Sequence, residues 1–165
     1  MLYFSYRKEV TQMGKTIYFD MDGTIADLYG VENWEPQLRA ENPAPYYNAK
    51  PMIDTVIFTF YCSMLLKAGY NLGIISWLSK NSSKAYEEAV TTAKKEWLVE
   101  FAPALLLGET HFISYGTPKH TVAKDKAGIL IDDSEPVGQE WQKQGGVWVN
   151  VNEITTTEYM RMMAS

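Results

Sequence analysis

Short apolar runs alternate along this chain with longer amphipathic stretches. The runs fall near residues 16–20, 72–76, 128–132 and 146–149, with a further one around 110–114, and their length and bounding glycines predict strands. Helical spacing covers 51–68, 83–101, 118–125 and about 135–144. Strands that alternate with helices predict an α/β fold, with a mostly parallel sheet joined by crossover connections and covered on both faces. Within 83–101, Tyr86, Val90 and Trp97 mark an apolar side, while Lys84, Glu87, Glu88, Lys94 and Lys95 are expected to form a solvated face. The apolar stretch from Val56 to Leu66 is too short to span a bilayer and reads as a buried helix.

Residues 27–50 break this rhythm. Pro36, Pro43 and Pro45 sit there among Trp34, Tyr46 and Tyr47, which describes an irregular insertion between the first two strands. Residues 1–14 mix aromatic side chains with Arg7, Lys8 and Glu9, without the basic start and long apolar centre of a signal peptide. They are expected to extend a single domain covering 15–165.

Composition narrows the class. At 165 residues, with 46% hydrophobic and 21% charged positions, the chain suits one globular domain. A net charge of -5 argues against non-specific nucleic-acid binding. Cys62 is the only cysteine, so no intrachain disulfide can form and a reducing, cytoplasmic setting is expected. His111 and His120 form no metal-ligand spacing. No membrane partner is expected.

The chemistry concentrates where the apolar runs end. The first closes in Phe19-Asp20-Met21-Asp22-Gly23-Thr24. Residues two apart on a strand project to the same side, so Asp20 and Asp22 can face one ligand from the strand's carboxyl end. Two such acids repel without a cation, which points to a hard metal such as Mg²⁺ and to phosphoryl transfer. A plain Asp-Gly turn would explain Asp22 and Gly23 but does not require Asp20. The second run, Leu72 to Ser76, ends in a hydroxyl, and the run Gly128 to Asp133 ends in adjacent carboxylates, Asp132 and Asp133. Parallel folds bind ligands beyond their strand carboxyl ends, so these distant groups are expected to form one site. A cation is expected from Lys119, which follows Pro118 at a helix start, with Lys124 and Lys126 as rivals.

These four pieces, in this order, resemble the motifs of the haloacid dehalogenase (HAD) superfamily, and most closely its 5'(3')-deoxyribonucleotidase-like branch. The resemblance is clearest over 17–28, 73–80 and 116–136. It implies a Rossmann-like three-layer sandwich with a small cap inserted after the first strand, at about 27–50. It implies Asp20 as a nucleophile that forms an aspartyl-phosphate, and Asp22 as the acid and then the base. Ser76 and Lys119 would hold the phosphate. Mg²⁺ would be held by Asp20, Asp22 through its main-chain carbonyl, Asp132 and Asp133, while Thr24 would orient Asp22. The implied partner is a small phosphorylated substrate, with a deoxynucleoside monophosphate leading and a sugar phosphate or nucleic-acid end as alternative. A non-catalytic ligand-binding protein on the same fold is the competing reading. In the cap, Trp34, Tyr46 and Tyr47 would either stack on a base or pack the cap itself.

Overall fold

The computed structural model describes residues 14–165, so the expected 1–14 extension lies outside the described residues except for Gly14. Seven strands and six α-helices occur among them. The strands are β1 (Thr16–Phe19), β2 (Ala26–Asp27), β3 (Lys50–Pro51), β4 (Asn71–Trp77), β5 (Glu109–Ile113), β6 (Ile129–Asp132) and β7 (Val147–Asn150). The helices are α1 (Trp34–Arg39), α2 (Ala44–Asn48), α3 (Thr55–Lys67), α4 (Lys84–Phe101), α5 (Glu135–Lys143) and α6 (Thr156–Ala164).

Five strands form one parallel sheet in the order β5-β4-β1-β6-β7. The chain builds outward from β1 to β4 and β5, then returns to the other side of β1 for β6 and β7. The strand order therefore reverses at β1, which is where open α/β sheets place their ligands. Strand periodicity divides the core. Ile17 and Phe19 pack on one face with Phe58, Leu65 and Trp97, whereas Tyr18 packs on the other with Ile75, Leu130 and Trp141. Helices lie on both faces, giving three layers.

The long helices begin where side-chain oxygens meet orphan backbone amides. Asp54 accepts from the Ile57 amide at 3.0 Å, and Ser83 accepts from the Tyr86 amide at 3.2 Å. Thr155 does the same for Glu158, starting α6, a helix that the apolar pattern leaves unassigned. The helix expected over 118–125 is instead a single 3₁₀ turn, Lys119–Thr121. The reason lies four residues on, where Asp125 accepts from the Thr16 amide at 2.8 Å and donates its own amide to the Tyr18 hydroxyl at 3.0 Å. Tied to β1 at both points, the segment cannot continue as a helix.

The insertion at 27–50 is more ordered than its prolines suggest. It carries α1 and α2, and Asp27 pairs antiparallel with Lys50 at its base. Three hydrogen-bonded contacts fasten it to α4 and its cap: Glu41 accepts from the amide and hydroxyl of Ser83 at 2.7 and 2.8 Å, the Tyr86 hydroxyl donates to the Asn42 carbonyl at 3.0 Å, and the Trp97 indole donates to the Ala49 carbonyl at 2.7 Å. Among the described residues no helix is long and apolar enough to cross a membrane.

Candidate active site

Three strand ends converge. Asp20 follows β1, Asp132 ends β6, and the backbone leaving β4 carries Trp77 to Ser79. Between the first two sits Lys119, only 3% exposed, whose Nζ donates to Asp20 Oδ1 and to Asp132 Oδ2, both at 2.7 Å. The 3₁₀ turn after Pro118 is what brings this lysine inward, and Lys124 and Lys126 remain exposed. Burial opposes the Lys119 charge, but the two carboxylates more than offset it and hold the ammonium above its ordinary range. Both oxygens of Asp132 have one partner, since its Oδ1 accepts from the Ser134 amide at 2.8 Å. Asp20 keeps Oδ2 nearly free, with only the Thr24 hydroxyl near it at 3.4 Å. Thr24 thus reaches Asp20, where the resemblance implied Asp22.

Asp133 stands at the rim. Burial, followed by the neighbouring Asp20 and Asp132 charges, pushes its carboxyl up to about 7. Asp20, Asp132 and Asp133 each offer a carboxylate oxygen within 4.8 Å of the others. An all-oxygen donor set of this charge suits a hard divalent cation, and the raised Asp133 carboxyl marks a cluster short of positive charge. These residues fit Mg²⁺. The Asp22 carboxylate is outside that trio.

Gly23 makes the turn that follows the two acids, with φ of 80°. A Cβ there would strike the Asp133 carboxylate and lie 2.8 Å from Tyr29 Cε2. Gly23→Ala is therefore expected to cost about 1–3 kcal/mol through the unfavourable φ and to shift Asp133. A melting curve close to wild type would contradict this.

Asp22 and Ser76 are held by a residue that the charge pattern missed. Lys94 of α4 is 1% exposed, not part of a solvated face, and its Nζ donates to Asp22 Oδ2 at 2.6 Å and to Ser76 Oγ at 2.8 Å. Ser76 shares the face of Leu72 and Ile74 by strand alternation, and this turns its hydroxyl towards α4. Burial raises the Asp22 carboxyl above the ordinary range, against the pull of Lys94. A signal for Lys94 existed in the sequence: it falls four residues after Val90 and three before Trp97, on the buried stripe of the helix.

Above the acids opens a cavity of about 840 Å³. Asp20, Asp22, Lys119, Asp132 and Asp133 line its floor, Tyr29, Trp34 and Tyr46 the insertion side, and Trp77, Ser79, Lys80 and Tyr115 the side beyond β4. Ser76 and Lys94 do not line it, and neither does Tyr47. Tyr29 packs edge-on against Trp34, and Trp77 packs tilted against Tyr115, with ring centroids 5.1 and 4.8 Å apart.

No family model and no curated protein matches the sequence. Similar solved structures include D,D-heptose 1,7-bisphosphate phosphatase from Burkholderia thailandensis, with a TM-score of 0.47 and 13% identity over 80% of this chain and 74% of that one. A HAD family enzyme from Bacteroides thetaiotaomicron gives a TM-score of 0.49 and 12% identity, over 84% and 93% of the two chains. An aspartate-to-alanine mutant of that enzyme, in complex with magnesium and inorganic phosphate, gives 0.45 and 16%, over 83% and 93%.

Proposed function

We propose that this chain is a Mg²⁺-dependent phosphomonoesterase of the HAD type, working through an aspartyl-phosphate on Asp20. One observation carries the reading: a buried carboxylate with one oxygen fixed by Lys119 and the other nearly free, at the floor of a cavity that also exposes Asp22. A structural ion pair would not need the free oxygen, the second acid or the opening.

Asp20 Oδ2 attacks phosphorus, and the bond from phosphorus to the ester oxygen breaks with its electron pair on that oxygen. Asp22 supplies the proton that makes the leaving group an alcohol. Asp22 then takes a proton from water, the water oxygen attacks phosphorus, and Asp20 departs as a carboxylate with inorganic phosphate released. Lys119 holds the phosphoryl oxygens and stabilises their charge, whereas Ser76, buried outside the cavity with its hydroxyl on Lys94, does not reach them. Bound at Asp20, Asp132, Asp133 and the Asp22 carbonyl, Mg²⁺ would supply charge neutralisation at the phosphoryl oxygens.

The substrate we favour is a nucleoside monophosphate, with a deoxyribonucleotide first. Six aromatic rings line a cavity within the size range of small-ligand sites, and those of Tyr29, Trp34, Trp77 and Tyr115 suit a planar base. A Mg²⁺-supplemented phosphate-release screen across 5'- and 3'-nucleotides, sugar phosphates and terminally phosphorylated oligonucleotides tests this. Turnover led by nucleotides is expected. Preference for a sugar phosphate or an oligonucleotide end would overturn the substrate, and binding without release from any member would favour a non-catalytic protein.

The acid cluster also makes a prediction without substrate. Because the folded state raises the Asp133 carboxyl, its contribution to stability is full below the unfolded value of about 4 and is lost as pH rises through about 7. Chelator-treated protein is thus expected to lose melting temperature across that window relative to Asp133→Asn, with Mg²⁺ restoring most at its upper end. Parallel curves for the two proteins would contradict it.

A further inference from the structure

Lys94 occupies a position where a lysine is costly. Val90, Ala93, Trp97 and Leu98 share its buried side of α4, and an aliphatic residue would pack there without desolvating a charge. The ammonium is nonetheless satisfied on three sides. Asp22 Oδ2 and Ser76 Oγ accept from it, and the ring of Tyr46, which belongs to α2 of the insertion, lies under it with its centroid 5.0 Å away. One cation thereby joins the turn after β1, the end of β4 and the insertion.

Its place relative to the cavity decides what it does. Asp22 lines the cavity and Lys94 does not. The lysine stands behind the acid, on the side away from a ligand, and cannot serve as a second phosphate cation beside Lys119. It can fix which oxygen of Asp22 faces the ligand: Oδ2 is occupied at 2.6 Å, which presents Oδ1 to the cavity. Hydrogen bonding of one carboxylate oxygen also removes the side-chain rotation that a proton donor must lose before the transition state.

We propose that Lys94 is the positioning residue for Asp22, holding its carboxyl aligned with the leaving oxygen of the substrate and coupling that alignment to the insertion through Tyr46. The inference rests on the hydrolase reading above and concerns only the step in which the ester oxygen is protonated. That restriction makes it testable. An alkyl ester needs the proton as its oxygen departs, whereas a nitrophenolate departs without one. A residue that acts through Asp22 must therefore matter for the first and little for the second. A residue that merely supports the fold, or binds phosphate, must matter equally for both.

The experiment compares Lys94→Met with wild type in the presence of Mg²⁺, on the best nucleoside monophosphate and on p-nitrophenyl phosphate. The quantity read is kcat/KM, which extends only as far as leaving-group departure. The expected loss is about 10²-fold or more on the nucleotide, as for loss of a positioned acid, and under about tenfold on the nitrophenyl ester. Asp22→Asn is expected to show the same selectivity. Equal losses on both esters, or no loss on either, overturn the assignment. Lys94→Gln, which keeps a donor and drops the charge, is read in the same way should Lys94→Met not fold. Absence of wild-type turnover on both esters overturns the hydrolase reading itself, so the two failures are distinguishable.

Discussion

Asp20→Asn is expected to abolish phosphate release, lowering kcat by about 10⁴-fold or more, as removal of a covalent nucleophile does. The amide has the shape of the carboxylate but a far weaker nucleophilic oxygen, so the comparison isolates chemistry from packing. Stability is expected to survive. Lys119 keeps Asp132 as its partner at 2.7 Å, and the clustered acids lose one of their mutual repulsions. Steady-state kinetics beside a melting curve check both halves. A folded Asp20→Asn protein of near wild-type activity would remove the nucleophile from the account, and with it the reason for two acids at the end of β1.

The second large effect belongs to Lys119→Met. Here activity and stability should fall together. Loss of one charged donor at the transferring phosphoryl group costs on the order of 10²–10³ in kcat. Removing the cation also leaves Asp20 and Asp132 buried without it, and breaking a buried ion pair from one side costs about 3–5 kcal/mol. Both groups are almost wholly shielded from water, at 10% and 1% side-chain exposure, so little solvent is available to compensate. The melting temperature of metal-free Lys119→Met is expected to drop well below wild type, and Mg²⁺ should recover more of it in the variant than in wild type. A variant as stable as wild type without metal would show that the two 2.7 Å contacts contribute nothing net.

The parts of this molecule legible in the sequence are those in which local pattern and tertiary role coincide. A buried strand ending in an acid announces both an element and a strand carboxyl end, so β1 and β6 and the acids at their ends could be read directly, and β4 by its apolar run alone. Lys119 became readable because Pro118 fixes the start of a turn. Lys94 was not, because a lysine within a helix is assigned to solvent unless its position on the apolar stripe is weighed above its charge; only packing against β4 and the insertion shows which prevails. The resemblance implies that Ser76 binds phosphate, but strand alternation puts it on the face of Leu72 and Ile74, where its hydroxyl meets Lys94 and not the cavity. Segment 118–125 carries helix-compatible residues, and the two bonds of Asp125 to β1 override them from more than a hundred positions away. In the insertion, the prolines masked α1 and α2, whose formation depends on closing the chain between Asp27 and Lys50.

The phosphoryl group on Asp20 itself is the most direct test. Wild-type protein and Asp20→Asn are mixed with Mg²⁺ and the best substrate of the screen, quenched in acid within one turnover, and digested for mass analysis. The account predicts one added phosphoryl group on the wild-type peptide containing Asp20, none on the Asn peptide, and a transient signal that decays as phosphate appears. Phosphate release at full rate with no modification of that peptide at any quench time would contradict a covalent route through Asp20.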